Sequence, residues 1–296
     1  VKLFVTATAP TLLAVATYAE HLAAREGLDL EQRSVRTAAL DLGPIDAIRQ
    51  KAIIAEVATM AHDIRFDYAV LPSSCRWQSF ALLASDMDST LITIECIDEI
   101  ADFCGKKSEV AAITEAAMRG EIADFAESLR RRVALLEGVP ERVLERVYEE
   151  RLQLSPGASE LILKARQQGL KTLLVSGGFT YFTSRLRDRL SLDFACSNQL
   201  EIVAGHLSGA VTGPILDAEG KRQALLRHCR QLGVDASRAI ALGDGANDLP
   251  MMAIAGLSIA YHAKPAVRSA ADAAISFGGL DILIDWLGPS DVIESS

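Results

Sequence analysis

Three short segments of the chain hold side chains that could do chemistry, and each follows an apolar run. Asp86-Met87-Asp88 sets two carboxylates two residues apart. One could attack an electrophile while the other moves a proton. Ser176-Gly177-Gly178 offers a hydroxyl and unshielded backbone N–H groups where the pattern predicts the opening of a helix, a place that favours an anion. Gly243-Asp244-Gly245-Ala246-Asn247-Asp248 gathers two more carboxylates and an amide, oxygen ligands suited to a hard cation. Taken singly, each segment is also an ordinary cap or turn. Lys221, predicted at the start of a helix where it opposes the dipole, could supply positive charge for an anionic substrate. The sum of these parts is what metal-assisted phosphoryl transfer to an aspartate requires. No G-x-x-x-x-G-K-[ST] segment is present, so nucleotide binding of the P-loop kind is not supported.

The elements that must position these groups can be read from the same runs. FALLAS before Asp86, KTLLVS before Gly177, AIALG before Asp244 and LSIAY before His262 are short continuous apolar strands. Helical segments over 157–168, 179–190, 221–232 and 248–255 separate them. This alternation predicts a parallel sheet covered on both faces, with ligands beyond the carboxyl ends of its strands. The stretch from 95 to about 154 holds no strand candidate and reads as an inserted helical cap. Residues 199–215 have the alternation and glycines of a β-hairpin. Residues 1–75 read as a separate β-α-β-α-β piece, with strands at 1–6, 31–37 and 64–71 and helices at 11–25 and 44–60. Leu71-Pro72-Ser73-Ser74 breaks that pattern, so the expected division is an N-terminal α/β domain over 1–75 and a larger body over 76–296.

The 296 residues are 50% hydrophobic and 23% charged, which excludes disordered and fibrous classes. Neither a membrane span nor a signal-peptide layout is evident, so the expected location is cytoplasmic. Five cysteines without C-x-x-C spacing imply neither a disulfide framework nor a zinc site. With 30 Lys+Arg against 39 Asp+Glu the formal charge is −9, which speaks against nucleic acid and anionic membrane as partners. An anionic substrate would have to be recruited by local positive groups.

DMDSTL, SGGF, a lysine and GDGANDLPM, in that order, resemble the four motifs of the haloacid dehalogenase-like phosphatases. ECIDEIA, ESLRRRV, SNQLEI and AKP resemble the branch of that family that acts on phosphoserine, and the resemblance spans about 79–286. It implies a Rossmann-like α/β fold with a helical cap of the type inserted after the first motif. It implies Asp86 as nucleophile, Asp88 as general acid and then base, and Ser176 with the Gly177 N–H as holders of the phosphoryl oxygens. Lys221 would neutralise the phosphate and orient Asp86, and Asn247 would contact the phosphate or its loops. Mg²⁺ would be held by Asp86, the carbonyl of Asp88 and Asp244, with Asp248 behind them. A neighbouring charge at Asp86 would help keep Asp88 protonated, against the opposing pull of the metal.

Substrate choice would lie with Glu95 and Arg132 of the cap, matched to the ammonium and carboxylate of O-phospho-L-serine. Helix geometry singles out Arg132 independently. At about 100° per residue, Phe125, Leu129, Arg132 and Leu136 share one stripe, while Arg130 and Arg131 point elsewhere. A guanidinium amid an apolar face needs a partner, and a substrate carboxylate would be one. A related enzyme that transfers phosphate to homoserine or takes another small phosphomonoester is an alternative, as is an inactive amino-acid sensor. For residues 1–75 the resemblance extends to the βαββαβ plan of amino-acid-binding regulatory domains, of which this stretch reads as one strand short. Stabilisation or assembly of a homodimer is the expected role there.

Overall fold

The computed structural model describes residues 1–43, 45–119, 121–122 and 124–288. Its N-terminal part runs β1 (Lys2–Thr6), α1 (Leu12–Glu26), β2 (Leu30–Gln32), β3 (Thr37–Asp41), α2 (Ala47–Ile64) and β4 (Asp67–Leu71). This is the full βαββαβ plan, so the expectation of a missing strand is corrected. The segment read as one strand over 31–37 is two strands that reverse at Arg33–Arg36, with the Gln32 amide donating to Thr37 O across the turn. Asp46 caps α2 by accepting Ile48 N and Arg49 N, both at 2.9 Å.

The larger body opens with β5 (Leu82–Ser85), then a cap of four helices: α3 (Cys96–Phe103), α4 (Lys107–Met118), α5 (Phe125–Ala134) and α6 (Arg142–Glu150). It continues through α7 (Ala158–Gln167), β6 (Lys171–Phe179), α8 (Thr180–Leu190), β7 (Phe194–Val203), β8 (His206–Thr212) and α9 (Ala218–Leu232). After these come β9 (Ala239–Gly243), α10 (Leu249–Met252), β10 (Leu257–Tyr261), α11 (Pro265–Ala270), β11 (Ala273–Ile275) and α12 (Ile282–Leu287). The three-residue β11 was not expected from the sequence. β7 and β8 form the expected hairpin, antiparallel to one another. Among the described residues no helix is long and apolar enough to cross a membrane. The cysteines are free, Cys96 and Cys229 being buried.

The described strands form one sheet in the order β2-β3-β1-β4-β11-β10-β9-β5-β6-β7-β8. β11, β10, β9, β5, β6 and β7 are parallel, and β4 joins β11 antiparallel through Tyr68 and Ala274. The N-terminal sheet is buried on both faces. Leu3, Val5, Ala38 and Leu40 pack on α1 and α2, whereas their neighbours Phe4, Ala39, Ala69 and Leu71 pack into the core of the larger body. Polar groups lock the seam. Asp67 accepts Ser276 N at 2.6 Å and Gly278 N at 2.7 Å. The Trp286 indole donates to Thr6 Oγ1 at 3.0 Å, and Asp285 accepts from Thr37 and Arg36. The central strand β5 is buried along its whole length, so the residue that follows it emerges from a rigid core.

Candidate active site

Asp86 follows β5 directly, and its backbone N–H donates to Leu242 O of β9 at 3.0 Å. The chain then makes a tight irregular turn over Met87–Leu91, closed by Ile92 N donating to Met87 O at 3.0 Å. Ser89 sits in it at φ 55°, the left-handed region that non-glycine residues seldom occupy. This turn sends Asp86 and Asp88 into the same cavity, of about 120 Å³, at the carboxyl end of the sheet. Ser176, Gly177 and Gly178 line its second side, Asp244 and Asn247 its third, and Glu95, Phe125, Leu129 and Arg132 its roof. Of the expected residues, Lys221 and Asp248 alone stop short of the cavity wall.

Lys221 lies behind that wall, 1% exposed. Its Nζ stands 2.7 Å from Asp86 Oδ1 and 2.6 Å from Asp248 Oδ1. It enters on the second turn of α9, which begins at Ala218 rather than at the lysine. Burial works against its charge, but the two carboxylates outweigh this and hold its pKa above the usual lysine range. The Asp86 contact is an ion pair by distance only: Asp86 Oδ1 is buried with no hydrogen-bond donor aligned on it. Asp248 is fully committed, its Oδ2 accepting Gly245 N at 3.1 Å.

Asp86, Asp244 and Asp248 each bring a carboxylate oxygen within 4.8 Å of the others. Burial, and then Asp248, push Asp244 up to about 6 and raise Asp86 well above the usual carboxylate range. Three carboxylates face a single lysine, so negative charge is in excess, and an unaligned oxygen on Asp86 remains. A divalent cation fits this donor set. Thr90 Oγ1 donates to Asp244 Oδ1 at 3.2 Å, and the other oxygen of that carboxylate has no hydrogen bond among the described residues.

Asp88 is pushed up to about 7, by burial first and then by Glu95. Its Oδ1 accepts Cys96 N at 3.1 Å. Glu95 is thus a like charge that the sequence reading did not name, and Asp86 and Asp88 also repel one another as expected. A carboxyl half-protonated near neutral pH can serve as acid and then as base. Glu95 itself is held by Ser89 Oγ, which donates to its Oε1 at 2.6 Å. Ser89 and Thr90 carry no distinct signal in the sequence, because hydroxyls in a D-x-D-S-T run look like turn formers until the partners are known.

The SGG segment also differs from expectation. Ser176, Gly177 and Gly178 belong to the end of β6, and α8 starts only at Thr180. Gly178 N donates to Ser176 Oγ at 2.8 Å, which leaves the serine hydrogen available to an anion. A Cβ on Gly178 would stand 2.7 Å from Asp88 Oδ2 and 2.8 Å from Met87 Cε. The glycine is thus required by close approach to the acid. Gly178→Ala is expected to displace Asp88 and lower kcat by about 10²-fold, read by steady-state kinetics, with a smaller change in KM.

The cap stripe falls as helix geometry predicts. Leu129 and Leu136 are buried, Arg130 and Arg131 are exposed, and Phe125 and Arg132 face the cavity. Phe125 lies over Gly177, its Cζ 3.0 Å from where a Cβ would stand. Arg132 has Nε donating to Ser128 O at 3.4 Å and no carboxylate within ion-pair distance among the described residues. Burial lowers its pKa, with Asp98 and Glu95 opposing.

The haloacid dehalogenase-like hydrolase family matches residues 83–253, which include Asp86, Asp88, Ser176, Lys221 and Asp244. The chain belongs to the haloacid dehalogenase-like hydrolases. It is therefore an enzyme of the phosphatase-bearing α/β class, in a family whose chemistry matches the metal-suited site. A phosphoserine phosphatase of Polaromonas sp. is 60% identical over 210 residues, 70% of this chain and 89% of that protein. A crystal structure of a haloacid dehalogenase-family hydrolase from Salmonella enterica serovar Typhi superposes with a TM-score of 0.84 at 32% identity, covering 97% of this chain and 98% of that one. A probable phosphoserine phosphatase from Vibrio cholerae gives a TM-score of 0.78 at 38% identity, covering 97% and 85%. For this hydrolase the two latter likenesses take in the N-terminal strands as well.

Proposed function

We propose that the chain hydrolyses O-phospho-L-serine to L-serine and phosphate with Mg²⁺, the last step of serine biosynthesis by the phosphorylated route. The observation that carries this reading is Arg132: a guanidinium without a carboxylate partner among the described residues, facing the same cavity as Glu95 and the Asp86/Asp88 pair. A substrate with a carboxylate, an ammonium and a phosphate completes all three. The high identity to phosphoserine phosphatases supports it independently.

Asp86 attacks phosphorus, forming an aspartyl phosphate, while Asp88 protonates the departing serine oxygen. Asp88, then ionised, takes a proton from the water that attacks the same phosphorus and frees phosphate and Asp86. Ser176 Oγ and the Gly177 N–H hold the equatorial oxygens, and Asn247 borders them. Lys221 favours the charged form of Asp86, against burial and Asp248, and fixes it. Asp86, the carbonyl of Asp88 and Asp244 would hold Mg²⁺, which when bound neutralises the charge that carboxylate and phosphate bring together. Phe125 and Leu129 close the roof against water. Because both faces of the N-terminal sheet are covered, a homodimer formed through that region would use its helices or the β2 edge.

The test is discrimination. Glu95→Gln and Arg132→Ala are each expected to lose about 2–5 kcal/mol in kcat/KM for phosphoserine. Rates on glycerol phosphate, which has neither amino-acid group, should hardly move in Arg132→Ala and should fall much less than on phosphoserine in Glu95→Gln, whose charge also helps Asp88 keep its proton. Equal losses on both substrates would overturn the assignment of these two residues. Phosphate appearing on homoserine rather than in solution would favour the phosphotransferase alternative.

A further inference from the structure

Asn198 stands on β7 near the root of the hairpin, 2% exposed. Its amide is used at both ends. Nδ2 donates to Gly177 O at 2.8 Å, and Oδ1 accepts Leu216 N at 2.7 Å. Leu216 O is a second acceptor for Nδ2, at 3.4 Å. Gly177 belongs to the phosphate-holding segment. Leu216 precedes Asp217, which caps α9 by accepting Gly220 N at 2.8 Å, and the next residue is Lys221.

The backbone alone does not fix this segment. β6 and β7 pair at Val175 with Cys196 and again at Phe179 with Asn198, and the register shifts between them. Residues 176–178 therefore bulge out of the ladder, and the Gly177 carbonyl finds its partner in a side chain. In a trans peptide the C=O and N–H point opposite ways. Holding Gly177 O toward Asn198 thus aims the Gly178 N–H away from it, onto Ser176 Oγ at 2.8 Å. The series Asn198, Gly177 carbonyl, Gly178 N–H, Ser176 hydroxyl is continuous, and its members reinforce one another.

We propose that Asn198 is a positioning residue: it sets the Gly177–Gly178 peptide, orients the Ser176 hydroxyl, and registers the phosphate cradle against the helix that carries Lys221. The role of the cradle rests on the hydrolase reading above. Among short side chains, asparagine supplies both the donor and the acceptor. Aspartate keeps the acceptor for Leu216 N and lacks the amide donor, whereas leucine has the shape and neither group.

The test compares wild type, Asn198→Asp and Asn198→Leu as full chains, by steady-state kinetics on phosphoserine with Mg²⁺ and by amide hydrogen exchange. Both variants should lose about 10- to 100-fold in kcat while KM stays within about threefold, because Glu95 and Arg132 are untouched. Exchange should quicken at Gly178 N–H in both variants and at Leu216 N–H only in Asn198→Leu, with the cap helices and β5 unchanged. Wild-type kcat together with unchanged Gly178 exchange would overturn the proposal. So would a loss matched by faster exchange throughout the sheet in both variants, since that signals a merely structural residue. If wild type released no phosphate from any phosphomonoester, the hydrolase reading would fall, and Gly178 exchange would still decide whether Asn198 holds the peptide.

Discussion

Asp86→Asn is expected to stop turnover, with kcat on phosphoserine falling by at least about 10⁴-fold. The amide matches the carboxylate in shape but is a poor nucleophile, so the aspartyl phosphate cannot form. Folding should be spared. Asp86 is buried beside Asp248 and Asp88, and burial and repulsion both raise its pKa, so the charged form is held at a cost. Removing that charge should leave the metal-free melting midpoint unchanged or raise it, the usual relation between a strained site and stability. The two readouts together are diagnostic. Lost activity with a lowered midpoint would point to a folding defect, and retained activity would contradict the covalent route. The phosphoryl group should be trapped on the peptide containing Asp86 when wild type is acid-quenched during turnover, and be absent from the variant.

Lys221→Met should do the opposite to stability. It leaves Asp86 and Asp248 facing each other in the core without the ammonium that stands 2.7 and 2.6 Å from them. Breaking a buried pair from one side costs about 3–5 kcal/mol, to be read from urea unfolding without metal. Activity should fall as well, because Asp86 without its lysine takes up a proton and ceases to be a nucleophile. Adding Asp248→Asn to Lys221→Met removes one of the two carboxylates stranded by loss of the lysine, so it should restore part of the stability and little of the activity. A loss under about 1 kcal/mol in the single variant would show that water or a shifted chain satisfies the carboxylates.

What the sequence disclosed, and what it concealed, follows from which interactions are local. Strand ends carrying carboxylates, the helical cap and the hairpin are all patterns within a few residues, and the structure places them as expected. Helix geometry points to Arg132 as well, because a charge on an apolar helical stripe is itself a local contradiction. The misreadings are tertiary. Thr37–Asp41 is alanine-rich and reads poorly as a strand, yet it is one, because both faces of that sheet are covered. β11 is three residues long and exists by pairing with β10 and β4. The close approach of Gly178 to the Asp88 carboxylate could not be read, because it joins segments far apart in the chain. The depth of Lys221 could not be read either, since an exposed lysine and a buried one look alike until Asp86 and Asp248 converge on it.

The global charge of −9 is a poor guide to the substrate. Four of the aspartates, Asp86, Asp88, Asp244 and Asp248, crowd the catalytic end of the sheet, and the local cations Lys221 and Arg132 stand among them. The central claim is that this site hydrolyses a phosphorylated amino acid with a divalent cation. Phosphate release by the wild-type chain, from O-phospho-L-serine and from glycerol phosphate, each with Mg²⁺ and with EDTA, tests it most directly. The account predicts rapid release from phosphoserine that vanishes on chelation and returns with Mg²⁺, with glycerol phosphate slower by at least about tenfold. Release that survives chelation, equal rates on the two substrates, or none on either would contradict it.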